Sequence, residues 1–413
     1  MPFSGVPTEG IELPRQRGES ATDCDLPFSA SSAFSAVKGF GSFVETGVHD
    51  MILWAALGAL ALSFGISLLA TPLSRRVAFR FGMIDMPQRH KAHAQPTPLL
   101  GGCAVFAAIL GPALLVTAVA RIWAATQIPA WLPPVLKQHI PGAAEKAPFA
   151  LGVLAAAAVL HVLGIIDDRK ALGPLVKLAV QVAVCTAVTL VCDLRVLTVA
   201  GEPLSAILTV LWLVTITNAF NFLDNMDGLS AGVAVIVCAA LLSASVGVGQ
   251  LFVPAWLCLM LGALLGFLVY NFPPASTFLG DAGSLVIGFL LGVLSVRTTY
   301  VQPGQEYWSY GVFVPLVLMA VPLYDTVSVV LLRLRDRKNP MVGDRRHFSH
   351  RLVRRGMSQR RAVLTIYLCT GATAISAVLL PHVRSVTAAV MIFAQTLAVL
   401  ALVALLESGD GKA

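Results

Sequence analysis

PFALGVLAAAAVLHVLGIIDDRK, residues 148–170, decides the fold. From Pro148 to Ile166 it contains no Asp, Glu, Lys or Arg, and it then ends in four charged residues, Asp167-Asp168-Arg169-Lys170. A bilayer-crossing helix needs roughly 20 apolar residues, and the abrupt charge marks the place where the chain leaves the membrane. Working outward, the pattern recurs. About eleven segments read as spans: 51–73, 99–123, 148–166, 174–192, 204–220, 229–248, 251–272, 285–302, 309–333, 362–381 and 386–406. The expectation is an all-α polytopic integral membrane protein. Composition agrees, since 57% of the 413 residues are hydrophobic and only 12% charged, whereas a soluble domain carries about one quarter charged residues.

The net charge of +7 would suit a nucleic-acid binder, but here the basic residues sit between apolar spans, where they set orientation instead. Arg75, Arg76, Arg80, Arg89 and Lys91 follow the first span, Arg169 and Lys170 the third, and a basic stretch from Arg333 to Arg361 the ninth. These odd-numbered exits share one face, which the positive-inside rule makes cytoplasmic. The N-terminus is then outside and the C-terminus inside. The 124–147 loop, with Pro129, Pro133, Pro134 and Pro141, lies outside. Residues 1–50, rich in Ser, Gly and Pro, read as a disordered extension with a short surface helix allowed over 34–49. Met51 is an alternative start. Residues 51–406 form the membrane domain and 407–413 a cytoplasmic tail. The seven cysteines follow no zinc or redox spacing and read as small apolar residues.

The polar residues inside or beside the spans gather at the exits of spans three, five, seven and nine. A charge at mid-membrane costs roughly 2.5–3.5 kcal/mol, so such a gathering needs a reason. At the third exit, one of Asp167 and Asp168 can face a metal or phosphate while the other meets Lys170 or Lys177; a plain cytoplasmic turn would look the same. At the fifth, Asn218, Asn221, Asp224 and Asp227 recur every third residue before Gly228. On a helix that is one polar ridge, and its oxygens are hard ligands suited to Mg²⁺. At the seventh, Asn271-Phe272-Pro273-Pro274 leads to Phe278-Leu279-Gly280-Asp281-Ala282-Gly283-Ser284. Asp281 would open span eight either as a helix cap or as a metal carboxylate beside phosphates.

Two loops add cations. The last large loop carries Asp344-Arg345-Arg346-His347-Phe348-Ser349-His350-Arg351. Arg and His together suit a pyrophosphate, and no third ligand argues for zinc. The first loop carries Asp85, Pro87, Arg89, His90, Lys91 and His93 before Gly101-Gly102, which would allow close packing of span two. Asp325, near the end of span nine, is a further acidic candidate or an ion-pair partner of Arg333. Hard carboxylates, phosphate-binding cations and a membrane-edge position together suit phosphoryl transfer between a soluble phosphorylated molecule and a lipid phosphate. Buried carboxylates also serve transporters, but those lie near the midplane within repeats, and here they gather at one face.

In order from residue 85 to about 360, these motifs resemble the polyprenyl-phosphate N-acetylhexosamine-1-phosphate transferase family. The resemblance implies transfer of a sugar-1-phosphate, N-acetylglucosamine-1-phosphate above all, from a UDP-sugar to undecaprenyl phosphate with release of UMP. That would be the first membrane step of a cell-envelope glycan such as cell wall, lipopolysaccharide or exopolysaccharide. It implies Mg²⁺, with Mn²⁺ as a substitute, held by Asp281 and Asn221. It implies that Asp167, beside Asp168, deprotonates or orients the lipid phosphate, and that Asp224 and Asp227 lie near the nucleotide. Phe278 and Asn271 would meet uracil, Lys91 and His93 would supply first-loop cations, and His347 and His350, with Arg346, would face the sugar and pyrophosphate. The implied setting is the inner membrane with the site on its cytoplasmic face, a homodimer being compatible and nucleic acid playing no part. Three positions depart from the family pattern: Ser349 stands where a histidine is common, Asn225 where Gly is common and His90 where Arg is common. The last loop is nearer the N-acetylglucosamine branch than the muramoyl-pentapeptide branch.

Overall fold

The structure, a computed structural model, describes residues 47–86, 96–300, 310–337 and 346–408. The extension before residue 47 therefore lies outside the described residues, as do Arg89, His90, Lys91 and His93 of the first loop and Asp344 and Arg345 of the last.

The chain from Val48 onward is a helical bundle. In order it forms α1 (Gly47–Phe81), a short antiparallel ribbon of β1 (Ile84–Asp85) and β2 (Thr97–Pro98), α2 (Gly101–Ala125), two short helices α3 (Pro134–Lys137) and α4 (Ile140–Glu145), then α5 (Ala147–Arg169) and α6 (Pro174–Val191). There follow α7 (Glu202–Leu223), α8 (Leu229–Gly247), α9 (Phe252–Asn271), α10 (Asp281–Arg297), α11 (Val314–Leu318), α12 (Ala320–Arg335), α13 (Phe348–Arg354), α14 (Gln359–Leu379) and α15 (Val386–Ser408). Among the described residues nine helices are long and apolar enough to cross a membrane, or ten if a bent pair counts as one span. The protein is a multi-pass membrane protein.

Each of the eleven expected segments has its helix, but two differ from a plain span. The ninth is broken into α11 and α12, bent by 59°. Pro322 lacks the N–H that would bond the carbonyl of Leu318, which weakens the helix where it bends. The eighth, α10, has 17 residues and begins at Asp281, four residues before the expected start. It is short because it need not face lipid: every residue from Ala282 to Ser295 is buried. A helix apolar on all sides belongs at the centre of a protein, and α10 packs there between α5 and α7.

Small residues set these close approaches. Gly262 and Gly266 of α9 lie against the backbone of α1 at Leu60 and Phe64, while Ser63 and Ser67 donate to the carbonyls of Leu259 (2.7 Å) and Ala263 (2.7 Å). Without a hydrophobic drive between helices in lipid, such contacts hold the bundle. The expected role of Gly101 and Gly102 is met likewise. Their N–H groups donate to the carbonyls of Phe278 (3.0 Å) and Leu279 (2.9 Å), and a Cβ on Gly102 would stand 2.3 Å from the nitrogen of Gly283. The start of α2 is thereby locked onto the loop that delivers Asp281.

Candidate active site

The centre of the site is the N-terminus of α10. Gly280, with φ +70°, precedes it and has no side chain to cap it. Asp168, at the end of α5, supplies the cap from outside: its Oδ1 accepts the N–H of Asp281 (2.9 Å) and its Oδ2 that of Ala282 (3.1 Å). A Cβ at Gly280 would stand 2.6 Å from Asp168 Oδ2, so the loop must be glycine there. His161, about two turns back on α5, holds the same segment through Nδ1 to the carbonyl of Ala282 (2.8 Å). Of the two readings of Asp281, helix cap or metal carboxylate, the cap is thus corrected. Asp281 is the first helical residue, and its carboxylate is left for the site.

That carboxylate is met from two sides. Asn221 Nδ2, on the last turn of α7, donates to Asp281 Oδ1 (2.8 Å) and to Ser284 Oγ (2.9 Å). Lys177 of α6 donates to Asp281 Oδ2 and to Asp167 Oδ2, the latter at 2.9 Å. The second oxygen of Asp167 accepts the N–H of Leu172 (2.6 Å). Of the pair at the third exit, Asp167 therefore meets Lys177 and Asp168 becomes the cap. Three residues from three helices, Asp167, Lys177 and Asp281, form one ionic chain with little exposure: 14%, 16% and 24% of their side chains.

The polar ridge is not one continuous helix. α7 ends at Leu223, carrying Asn218 and Asn221, while Asp224 and Asp227 lie on the following turn. Asn225 helps end the helix by donating to the carbonyl of Phe222 (2.6 Å), a local bond that competes with helical pairing. Asn218 turns away, to Gln181 of α6. Asp224 faces the centre: the N–H of Gly280 points to it, and burial raises its carboxyl well above the ordinary carboxylate range, with the charges of Asp281 and Asp168 adding to the rise. Asp227 accepts the N–H of Ala275 (2.9 Å). Buried Asn271 accepts from the N–H of Gly228 (3.0 Å) and donates to the carbonyl of Thr277 (2.9 Å). These two residues tie the turn after α7 to the loop after α9. Phe278, half-buried, is pinned there by its own backbone, its N–H donating to Pro98 (2.8 Å).

The cationic side is only partly described. Lys91 and His93 lie outside the described residues. In the last loop Arg346 pairs with Asp336, His350 is half-buried, and His347 is buried against Asp325 (2.8 Å) with its ring 6.0 Å from that of Phe222. Phe222 adjoins Asn221, so the histidine loop reaches the end of α7. Among the described residues no group of three or more His, Cys, Asp or Glu converges tightly enough to hold a metal alone.

Residues 150–299 match the family described as glycosyl transferase family 4. A probable undecaprenyl-phosphate N-acetylglucosaminyl 1-phosphate transferase of Bacillus subtilis is 30% identical over 333 residues, covering 78% of this chain and 85% of the relative. The chain belongs to glycosyl transferase family 4. A decaprenyl-phosphate N-acetylglucosaminephosphotransferase of Mycolicibacterium smegmatis is 34% identical over 358 residues, 81% of this chain and 84% of the relative. An undecaprenyl-phosphate alpha-N-acetylglucosaminyl 1-phosphate transferase of Escherichia coli K12 is 28% identical over 338 residues, 77% and 82% respectively. The family match holds the whole carboxylate–amide half, from Asp167 to Ser284, whereas Asp325 and His347 lie beyond it.

Sequence reasoning missed three roles at this site. His161 gave no signal beyond polarity in an apolar run, and Ser284 appeared only as the last residue of the Phe278–Ser284 motif, not as a partner of Asn221. Lys177 appeared only as a partner of the Asp pair, not as the residue joining it to Asp281. Its signal was present: it is the sole charged residue of the span 174–192, and a lone ionisable group in a span is functional by default.

Proposed function

We propose that the protein transfers a sugar-1-phosphate, N-acetylglucosamine-1-phosphate by preference, from a UDP-sugar to undecaprenyl phosphate and releases UMP. It would begin a cell-envelope glycan on the cytoplasmic face of the inner membrane, the orientation that the Lys/Arg bias supports. The observation that carries the reading is the convergence of Asp167, Asp281 and Asn221 from three helices at the N-terminus of α10, with Lys177 between the carboxylates. The names of the relatives supply the sugar and the lipid class.

The donors fit Mg²⁺. All are hard oxygens, and the ammonium of Lys177 already occupies a place between two carboxylates where a cation is favoured. Mg²⁺ is commonly held by one or two carboxylates with substrate phosphates and water completing its shell, so no third carboxylate is required. Asp281 and Asn221 would hold it, and when bound it supplies charge neutralisation to the pyrophosphate. The protein's own groups do the rest. Asp167 orients the lipid phosphate and takes its remaining proton. An oxygen of that phosphate bonds to the sugar-bearing phosphorus, the pyrophosphate P–O bond breaks, and UMP leaves with the electron pair. Asp224, Asp227 and Phe278 face the nucleotide, with Asn271 fixing the turn that carries them. Lys91, His93, His347, His350 and Arg346 bind the sugar and pyrophosphate.

The test is an assay of purified protein with undecaprenyl phosphate and a panel of radiolabelled UDP-sugars. Lipid-linked N-acetylglucosamine pyrophosphate and equimolar UMP are expected. Absence of product with every donor, or product without UMP, would overturn the reading.

A further inference from the structure

The last loop pairs His347, assigned above to the sugar and pyrophosphate, with a carboxylate, Asp325, that the reaction described above does not use. Asp325 lies on α12, is fully buried, and receives two hydrogen bonds from the start of α13: Oδ2 from Nδ1 of His347 (2.8 Å) and Oδ1 from the N–H of Phe348 (2.9 Å). Both oxygens thus act on one short segment. The first caps nothing but the ring; the second caps the helix that the ring precedes. We propose that Asp325 is the positioning residue for His347, fixing the imidazole with its proton on Nδ1 and directing Nε2 to the pyrophosphate or sugar of the substrate. This rests on the reading of His347 as a substrate-binding residue.

Further contacts fit that role. A neutral imidazole carries one proton, and the nitrogen that holds it is set by the partner of that nitrogen. A carboxylate on Nδ1 therefore leaves Nε2 as the atom that can meet a ligand. The ring lies 6.0 Å from that of Phe222, which stands between Asn221 and Asp224 of the carboxylate centre. The helix behind the ring is held on two other sides. Ser349, wholly buried, donates to Asn225 Oδ1 (2.6 Å), joining α13 to the turn that carries Asp224. Arg351 reaches Ser328 (2.9 Å) on α12 and Glu407 (3.0 Å) on α15, and Tyr324 donates to the other oxygen of Glu407 (2.6 Å). Ser349 and Asn225 are two of the three positions where the motifs depart from the family pattern, and here they bond to each other. A segment tied this firmly has one orientation of His347 to offer, and Asp325 selects it.

The pair also explains why a wholly buried carboxylate persists at the end of a span. A charge there is costly unless it is matched by donors, and it has an N–H from the backbone and one from the ring.

Asp325→Asn tests the proposal without emptying the site. The amide oxygen can keep the N–H of Phe348, but the amide nitrogen then faces Nδ1 of His347 and favours the tautomer with its proton on Nε2. Full-length protein labelled with ¹⁵N-histidine, with His347→Gln used to assign the signal, reports the tautomer directly. The expected result is a Nδ1–H ring in the parent and a Nε2–H ring in Asp325→Asn. In the assay with UDP-N-acetylglucosamine and undecaprenyl phosphate, kcat should fall about 10- to 100-fold, the usual scale for a lost orienting partner. Asp325→Asn should lower kcat little further in the His347→Gln background, and Asp325→Glu should recover part of it. An unchanged ring signal would overturn the proposal, as would an equal loss in both backgrounds. Failure of the parent to turn over any UDP-sugar would instead overturn the assigned reaction, and the ring signals would still decide the pairing.

Discussion

Asp168 accepts the backbone N–H of Asp281 at 2.9 Å although the two lie on different helices, and its other oxygen accepts that of Ala282 at 3.1 Å. Capping in trans has a consequence for chemistry. A first-turn Asp commonly turns back onto its own helix; here that task is done by another residue, and Asp281 is released toward Lys177 and Asn221. Asp168→Ala should therefore destabilise the protein by about 1–3 kcal/mol, the cost of leaving buried donors unmet. It should also lower activity by disturbing Asp281. Asp168→Asn, which keeps an acceptor, should lose less stability. Thermal melts of the purified variants check both.

Lys177 compensates two carboxylates at once. Its removal leaves both short of a partner, and breaking a buried pair costs about 3–5 kcal/mol. Lys177→Met should be markedly less stable than the parent. Lys177→Met combined with Asp281→Asn should regain part of that loss, because one uncompensated charge is gone. A double variant no more stable than Lys177→Met would show that the ion chain does not carry the effect.

Asp224 gives a pH dependence of definite sign. Burial and the neighbouring carboxylates raise its folded value well above the ordinary carboxylate range. The unfolded state therefore releases this proton more readily than the folded one, and stability present at low pH is lost as pH rises from the ordinary value through the raised one. Asn imitates the protonated acid and has no such loss. In metal-free buffer the melting temperature of Asp224→Asn should match the parent near pH 4 and exceed it increasingly toward neutrality. A difference that shrinks as pH rises would contradict the assignment.

The contact between α2 and α10 can be tested with two glycines on one helix. A Cβ at Gly102 would lie 2.3 Å from the nitrogen and 2.5 Å from the Cα of Gly283, both backbone atoms, whereas nothing lies within 4 Å of one at Gly111. Gly102→Ala should cost about 1–3 kcal/mol by forcing the helices apart. Gly111→Ala should be neutral or stabilising by up to about 1 kcal/mol, as Ala is in a helix interior. Melting curves separate the two.

The placement of the spans was legible because apolar length is a signal that sequence carries on its surface. The carboxylate centre was legible too: Asp167, Asn221, Asp224 and Asp281 meet around one helix N-terminus. What was illegible depends on the third dimension. Nothing in the spacing of Asp167 and Asp168 says which one faces Lys177 and which caps α10. The three-residue spacing of Asn218, Asn221, Asp224 and Asp227 suggested one helical ridge, but local Asn225 bonding helps end the helix at Leu223, and Asn218 bonds to Gln181 of α6. Asp325 looked like a further acidic candidate or an ion-pair partner of Arg333, because His347, whose ring it holds, lies 22 residues away in sequence.

The most direct measurement of the central claim is turnover by Asp281→Asn. The substitution is nearly isosteric and keeps an oxygen for Asn221, but it removes the charge placed at the N-terminus of α10. With UDP-N-acetylglucosamine, undecaprenyl phosphate and Mg²⁺, the folded variant should form no lipid-linked sugar pyrophosphate while the parent forms it readily. Parent-like turnover by Asp281→Asn would contradict the account.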